Sequence, residues 1–80
     1  MTYIATFFSH FGAIRYQKLC KEKGYPSTAM PVPRNLSSSC GTCVKYEADE
    51  VLYDPGHDEI EQIVLCTESG YELLFKAENS

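Results

Sequence analysis

A polar loop in the middle of the chain carries the residues best suited to chemistry. Ser37, Ser38 and Ser39 precede Cys40, and Gly41 follows it. Serine hydroxyls donate hydrogen bonds, glycine lets backbone amides approach closely, and successive amides can form a nest that binds an anion. Such surroundings favour the thiolate of a cysteine, which is its nucleophilic form. The loop is therefore predicted to present a reactive thiol.

Arg34 lies six residues before Cys40 and is predicted to add a fixed positive charge beside it. The residues alone leave a second interpretation open, in which the serine-rich segment is a flexible turn and Cys40 an incidental thiol.

Cys40 and Cys43 have C-x-x-C spacing, which is typical of a redox dithiol or of half a metal site. A disulfide needs Cα atoms within about 7 Å. If Thr42 and Cys43 already belong to a strand, the Cα atoms lie up to about 10 Å apart. A strand pattern does follow the motif, which disfavours the redox interpretation. Whether the two thiols can meet stays open.

A metal site would need further ligands from scattered residues, so no metal and no cofactor is predicted. Cys20 and Cys66 are interpreted as small buried residues. His57 lies in a Pro-Gly loop and is expected to be solvated, and His10 lies near a helix start.

A strand and a helix are predicted to precede the loop. β-branched and aromatic residues indicate a buried strand over Tyr3–Phe8. The helix is predicted to begin at Ser9 or His10 and to end near Lys23, with Gly24 at the C′ position. Helical spacing defines the apolar face expected to meet a sheet: Ala13, Tyr16, Leu19 and Cys20.

Two further strands are predicted at Ser27–Val32 and Thr42–Glu47. Pro31 and Pro33 remove ladder donors, which places the first of these strands at a sheet edge. A second copy of the chain can pair with such an edge, so a homodimer is one expectation.

A second helix is predicted from Asp58, because Asp58 and Glu61 have the spacing of a capping box. Its apolar face is expected to contain Ile60, Ile63, Val64 and Thr67, and Gly70 is expected to end it. The segment Ala48–His57 before it contains the turn signal Asp54-Pro55-Gly56. A last strand follows over Tyr71–Lys76.

The resulting order, β-α-β-β-α-β, predicts a single α+β domain over residues 1–80. We expect a ferredoxin-like two-layer sandwich, with an antiparallel sheet and two helices on one face. An 80-residue chain has little interior for a deep closed site. Chemistry is therefore expected at a loop and with a partner protein.

The charge balance gives seven basic against eleven acidic residues, a net charge of −4. Binding of nucleic acid is not expected, because the basic residues do not concentrate in one patch. The first helix carries a short set of basic residues that is interpreted as a solvated face: Arg15, Lys18, Lys21 and Lys23. Phe11 and Ile14 lie near this polar side and are expected to be half exposed or to contact a neighbour.

The first residues lack the features of a signal peptide, and no stretch approaches the ~20 apolar residues of a membrane span. A cytoplasmic location without a membrane partner is therefore expected. In that compartment cysteines serve redox, metal or sulfur chemistry more often than disulfides.

Three features resemble the selenium/sulfur carrier-like family, a group of small prokaryotic proteins. The first is the strand end Thr6-Phe7-Phe8. The second is the helix with Ala13 and Leu19 that closes with Lys23-Gly24-Tyr25-Pro26. The most specific feature is Pro31-Val32-Pro33-Arg34-Asn35-Leu36-Ser37-Ser38-Ser39-Cys40-Gly41. The resemblance extends over most of the chain from Tyr3 onward.

The resemblance implies a carrier in which Cys40 accepts sulfur as a persulfide, or selenium as its analogue. Arg34, Ser37, Ser38, Ser39 and Gly41 would stabilise the anion. The implied partners are donor and acceptor proteins, such as a cysteine desulfurase or a persulfide-carrier domain protein.

Two departures from the family pattern stand out, namely Cys43 and the long segment 48–57. Cys43 near a Cys40 persulfide would attack it, expel sulfide and close a disulfide. Two alternatives to the carrier stay open: a thiol-disulfide redox protein that uses Cys40 and Cys43, and a binding or regulatory module without chemistry. An enzyme with turnover is less expected than a carrier.

Overall fold

The computed structural model of the chain describes residues 1–36, 40–52 and 59–77. Within these ranges one helix packs on a five-stranded antiparallel sheet, so the predicted α+β class is confirmed. The strand order is β2-β3-β1-β4-β5. The bounds of the elements are β1 (Thr2–Phe7), α1 (His10–Glu22), β2 (Ser27–Pro31), β3 (Thr42–Glu47), β4 (Ile60–Thr67) and β5 (Gly70–Lys76).

Strand β1 is the centre of the sheet and is buried on both faces, as its apolar sequence predicts. It pairs with β3 on one side and β4 on the other. Tyr3, Ala5 and Phe7 point toward α1, because alternate residues of a strand share a face. The helix-side core also contains Ala13, Tyr16 and Cys20 from α1, Val44 and Tyr46 from β3, and Ile60 and Ile63 from β4.

The opposite face of the sheet carries a smaller apolar cluster of Ile4, Cys43 and Val64. Four half-buried side chains pack against it: Met30, Val32, Leu36 and Cys66. Thr6 is buried on this face as well, and its hydroxyl has no hydrogen-bond partner among the described residues, which costs stability.

Helix α1 begins at His10, one of its two predicted starts, and has the predicted Gly24 at its C-terminal end. The Ser9 hydroxyl accepts a hydrogen bond from the Gly12 N–H at 3.2 Å and donates one to the Glu59 carboxylate. Gly24 has a φ of +78° at the C′ position, which glycine adopts without strain. No helix in the described ranges is long and apolar enough to cross a membrane.

Strand β2 lies at one edge of the sheet, as Pro31 and Pro33 predict. A homodimer through this edge stays a prediction.

The predicted second helix is wrong, and with it the ferredoxin-like order of elements. Residues 60–67 form strand β4, which joins β5 through a two-residue turn in which Thr67 pairs with Gly70. The last strand, predicted from Tyr71, begins at Gly70. The predicted Asp54-Pro55-Gly56 turn, His57 and the capping residue Asp58 lie outside the described residues.

A β-bulge explains why β4 has the spacing of a helix. Thr6 pairs with Gln62 whereas Phe7 pairs with Ile60, so Glu61 is an extra residue in β4. The bulge places Ile60 and Ile63 on the same face although three positions separate them. In a regular strand two residues three positions apart face opposite sides of the sheet, whereas in a helix they share a face. The spacing of Ile60 and Ile63 therefore indicated a helix.

Buried hydroxyls tie α1 and the sheet to the segment that follows β3. The Tyr16 hydroxyl donates to the Leu52 carbonyl at 2.6 Å and lies 2.9 Å from the Tyr46 hydroxyl, which accepts from the Leu52 N–H at 3.1 Å. The two tyrosine rings also meet edge to face, with centroids 5.5 Å apart. This network fixes the chain at Leu52 against the helix-side core.

We predict that Tyr16→Phe lowers the free energy of unfolding by about 1 to 3 kcal/mol, because it leaves the buried Leu52 carbonyl without its donor. Urea denaturation followed by circular dichroism measures this. The control is Tyr25→Phe, which removes a hydroxyl from a half-buried ring stacked on Tyr46 and should change stability by less than about 0.5 kcal/mol. Equal losses in the two variants would contradict the proposed role of the network.

Candidate functional site

The Cys40 loop joins β2 to β3 and is closed at its base. The Val32 N–H donates to the Gly41 carbonyl at 3.1 Å, and the Leu36 N–H donates to the Pro33 carbonyl at 3.0 Å. Ser37, Ser38 and Ser39 lie outside the described residues, so their predicted role in holding an anion stays a prediction. The described part of the loop brings Cys40 back to the start of β3.

Cys40 is half-buried and packs against the helix-side core. Its thiol donates to the Thr42 carbonyl at 3.4 Å. The Thr42 hydroxyl lies 3.0 Å from Nδ1 of His10, the first residue of α1. The predicted acceptor thiol is thus connected through Thr42 to the beginning of the helix.

His10 and Thr42 are neighbours of the site that sequence reasoning did not assign to it. They are 32 positions apart in the chain, and their contact depends on the packing of α1 over β3. The alternation of β3 gave one partial signal, since Thr42 must share a face with Val44 and Tyr46, which α1 covers.

Cys43 lies on the opposite face of the sheet from the Cys40 contacts. It is fully buried between Met30 and Thr6 of the neighbouring strands, and its thiol donates to the Pro31 carbonyl at 3.8 Å. The pKa of Cys43 is raised to about 11, mainly by burial and to a smaller extent by negative charge on Cys40 and Cys66. Both thiols are free, so the C-x-x-C segment holds no disulfide.

The other two cysteines lie away from Cys40. Cys20 is fully buried in the helix-side core, as predicted, and burial raises its pKa to about 11. Cys66 is half-buried on the opposite face, in β4 rather than in the predicted helix, and burial raises its pKa as well. Among the described residues no three His, Cys, Asp or Glu side chains are grouped to hold a metal ion.

The two described loop residues proposed to assist Cys40 differ in their surroundings. Arg34 is exposed in the turn after Pro33, and no hydrogen bond or ion pair joins it to Cys40 within the described part of the chain. Gly41 has a φ of +75°, and a Cβ built there would meet no atom within 4 Å. Gly41 is therefore required by its backbone conformation and not by lack of space.

We predict that Gly41→Ala lowers the free energy of unfolding by about 1 to 2 kcal/mol, because an L-residue is strained at this φ. Gly41→Asn should lose less, since asparagine tolerates the left-handed region better. Urea denaturation of both variants measures the difference. An alanine variant as stable as wild type would show that the loop changes its backbone conformation at little cost.

The buried thiols predict a loss of stability at alkaline pH. The pKa values of Cys20 and Cys43 rise from 9.0 to about 11 on folding. The contribution of the two protonated thiols to the free energy of unfolding is therefore fully present below pH 9. Between pH 9 and 11 the unfolded chain loses these protons first, and unfolding becomes easier by on the order of 2 kcal/mol for each thiol.

Urea denaturation from pH 7 to pH 11 with a reductant present measures this dependence. The double variant Cys20→Ala/Cys43→Ala should show a flatter profile, with a remaining decline from Tyr46, whose pKa is also raised by burial. An unchanged slope in the double variant would assign the decline to other groups.

Comparison with known proteins finds a family model that matches residues 2–54, about two thirds of the chain, and that is described as "Putative Se/S carrier protein-like". No curated protein and no solved structure matches the chain. The matched segment contains β1, α1, β2, β3 and the Cys40 loop, and it ends before β4. The chain belongs to this Se/S carrier protein-like family.

Proposed function

We propose that the protein carries sulfur or selenium on Cys40 and transfers it between two partner proteins. The observation that supports this best is the different placement of the four cysteines. Cys20, Cys43 and Cys66 lie in a helix or a strand, whereas Cys40 lies on a loop at the start of β3 and is half-buried. A carrier thiol must be held in place and still be reached by another protein, and a loop on a rigid sheet meets both conditions.

The transfer needs no oxidant beyond the donor. The Cys40 thiolate attacks the outer sulfur of a donor persulfide, the S–S bond of the donor breaks, and the donor leaves as a thiolate. The product is a Cys40 persulfide. In the second half-reaction an acceptor thiolate attacks the outer sulfur of Cys40 and expels the Cys40 thiolate. The same exchange applies to selenium, because both elements need the same soft, anion-tolerant surroundings.

The position of Cys43 favours a carrier over a device that releases sulfide. Attack of Cys43 on a Cys40 persulfide would need a thiolate directed at Cys40. Cys43 is instead buried on the other face of the sheet, and its raised pKa keeps it protonated at neutral pH. A thiol-disulfide cycle between Cys40 and Cys43 is disfavoured for the same reason.

The partners that this function requires are a sulfur or selenium donor protein and an acceptor protein. A cysteine desulfurase is a suitable donor, because it presents a persulfide on its own cysteine. The serines at positions 37–39 and Arg34 are proposed to stabilise the persulfide anion through hydroxyl and guanidinium groups.

We predict that the protein gains one sulfur atom on Cys40 when it is incubated with inorganic polysulfide, or with a cysteine desulfurase and cysteine. Intact-mass spectrometry without reductant measures the gain, and peptide mapping locates it. A small thiol added afterwards should remove the sulfur and restore the original mass.

The variants Cys40→Ser and Cys66→Ser form a matched pair, since both remove a half-buried thiol. Cys40→Ser should abolish loading, and Cys66→Ser should retain it. Equal loading of wild type and Cys40→Ser would refute the carrier proposal. A product two protons lighter, and absent in Cys43→Ser, would replace it with the redox alternative.

A further inference from the structure

The outer face of α1 exposes two large apolar side chains in the first half of the helix, which begins at His10. Phe11 is 70% and Ile14 67% exposed, whereas Ala13, Tyr16 and Cys20 on the inner face of the helix are buried. The two are three positions apart and therefore lie side by side on the helix. Exposed apolar side chains that are grouped and bordered by charges are typical of a protein–protein contact.

The net charge of this face has the opposite sign to the net charge of the rest of the chain. Arg15, Lys18 and Lys21 share the face with one carboxylate, Glu22, which gives a local charge of +2. Because the whole chain has a net charge of −4, the remaining residues carry −6. A partner that fits this face therefore presents acidic side chains around an apolar recess.

The connection between the start of α1 and Cys40 indicates which kind of partner protein would cover the outer face of the helix. Phe11 follows His10, whose ring meets the Thr42 hydroxyl at 3.0 Å, and the Thr42 carbonyl accepts the Cys40 thiol hydrogen bond. Transfer of sulfur between proteins brings the two sulfur atoms into contact. A donor protein must then cover the surface around Cys40, and the start of α1 is part of that surface.

We propose that the outer face of α1, defined by Phe11, Ile14, Arg15, Lys18, Lys21 and Glu22, docks the persulfide-bearing donor protein. The inference rests on the proposed carrier function. Apolar contact with Phe11 and Ile14 supplies affinity, and the basic residues orient an acidic donor with its persulfide toward Cys40.

Two other occupants fit this face less well. A two-fold dimer through the same face would place basic side chains against basic side chains. An anionic membrane would match the charge, but two apolar side chains give little area for insertion between lipids.

The test compares loading of Cys40 by a protein donor with loading by a small donor. The protein donor is a cysteine desulfurase with cysteine, and the small donor is inorganic polysulfide. The variants are Phe11→Ser/Ile14→Ser, which removes the apolar contact, and Lys18→Glu/Lys21→Glu, which reverses the charge. The matched control is Leu73→Ser/Lys76→Glu on the edge strand β5, where Leu73 is 55% exposed.

Each α1 variant should lower the initial rate of desulfurase-dependent loading by about tenfold or more, which corresponds to about 1.4 kcal/mol of binding. Polysulfide loading should stay within about twofold of wild type in the variants, because a small donor does not use the docking face. The β5 control should load normally with both donors.

Unchanged desulfurase-dependent loading in both α1 variants would overturn the docking proposal, and so would a wild-type protein that a desulfurase does not load. Failure of wild type to load from polysulfide would instead refute the carrier function itself. If Lys18→Glu/Lys21→Glu abolishes sedimentation with phosphatidylglycerol vesicles while desulfurase-dependent loading is unchanged, the face binds a membrane and the proposal is wrong.

Discussion

The pleat of β3 determines the direction of each thiol in the C-x-x-C segment. Val44 and Tyr46 are buried beneath α1, so the residues directly adjacent to them in the strand must point to the other face of the sheet. Cys43 is one of these neighbours, and it is buried beside Ile4 and Val64. A shift of one residue in the pairing of β3 would reverse every side chain and remove Tyr46 from the core. The packing of the core thus keeps Cys43 on the opposite face of the sheet from the Cys40 contacts.

This separation changes the meaning of the C-x-x-C spacing. In a redox pair both thiols lie on the same side of a turn, and one of them is exposed as a thiolate. Here Cys43 is a buried small side chain with a raised pKa, and Cys40 is held at the entrance of the strand by its bond to the Thr42 carbonyl. The spacing suggests a dithiol only because a loop residue and a strand residue are close in the sequence. In the structure their side chains have different surroundings.

The sequence predicted the first half of the fold because local signals determine it. Ser9 caps α1, Gly24 adopts the left-handed conformation after it, and Pro31 ends the edge strand β2. The second half was mispredicted because the bulge at Glu61 is a property of the pairing with β1. Its effect on the spacing of Ile60 and Ile63 is visible only when the partner strand is known.

The site shows the same division between local and tertiary information. Cys40 was proposed from its neighbours in the chain, and Gly41 has the backbone conformation that only glycine adopts freely. The contact between His10 and Thr42 was not predictable, because it spans 32 positions and depends on how α1 crosses the sheet. The exposure of Phe11 and Ile14 followed from the helical wheel, but the connection of the start of α1 to Cys40 through His10 and Thr42 did not.

The family match ends at residue 54, whereas the sheet continues to Lys76. The candidate site and the C-terminal hairpin therefore lie in different parts of the chain. His10, Cys40 and Thr42 all lie within the matched residues 2–54, whereas β4 and β5 follow them. Yet β4 pairs along β1 and contributes Ile60 and Ile63 to the core under α1. Without β4 the central strand would have an open edge, and Phe7 would lose its neighbour on that side. The C-terminal hairpin therefore supports the core beneath the candidate site, although none of the described candidate residues of that site lies in the hairpin.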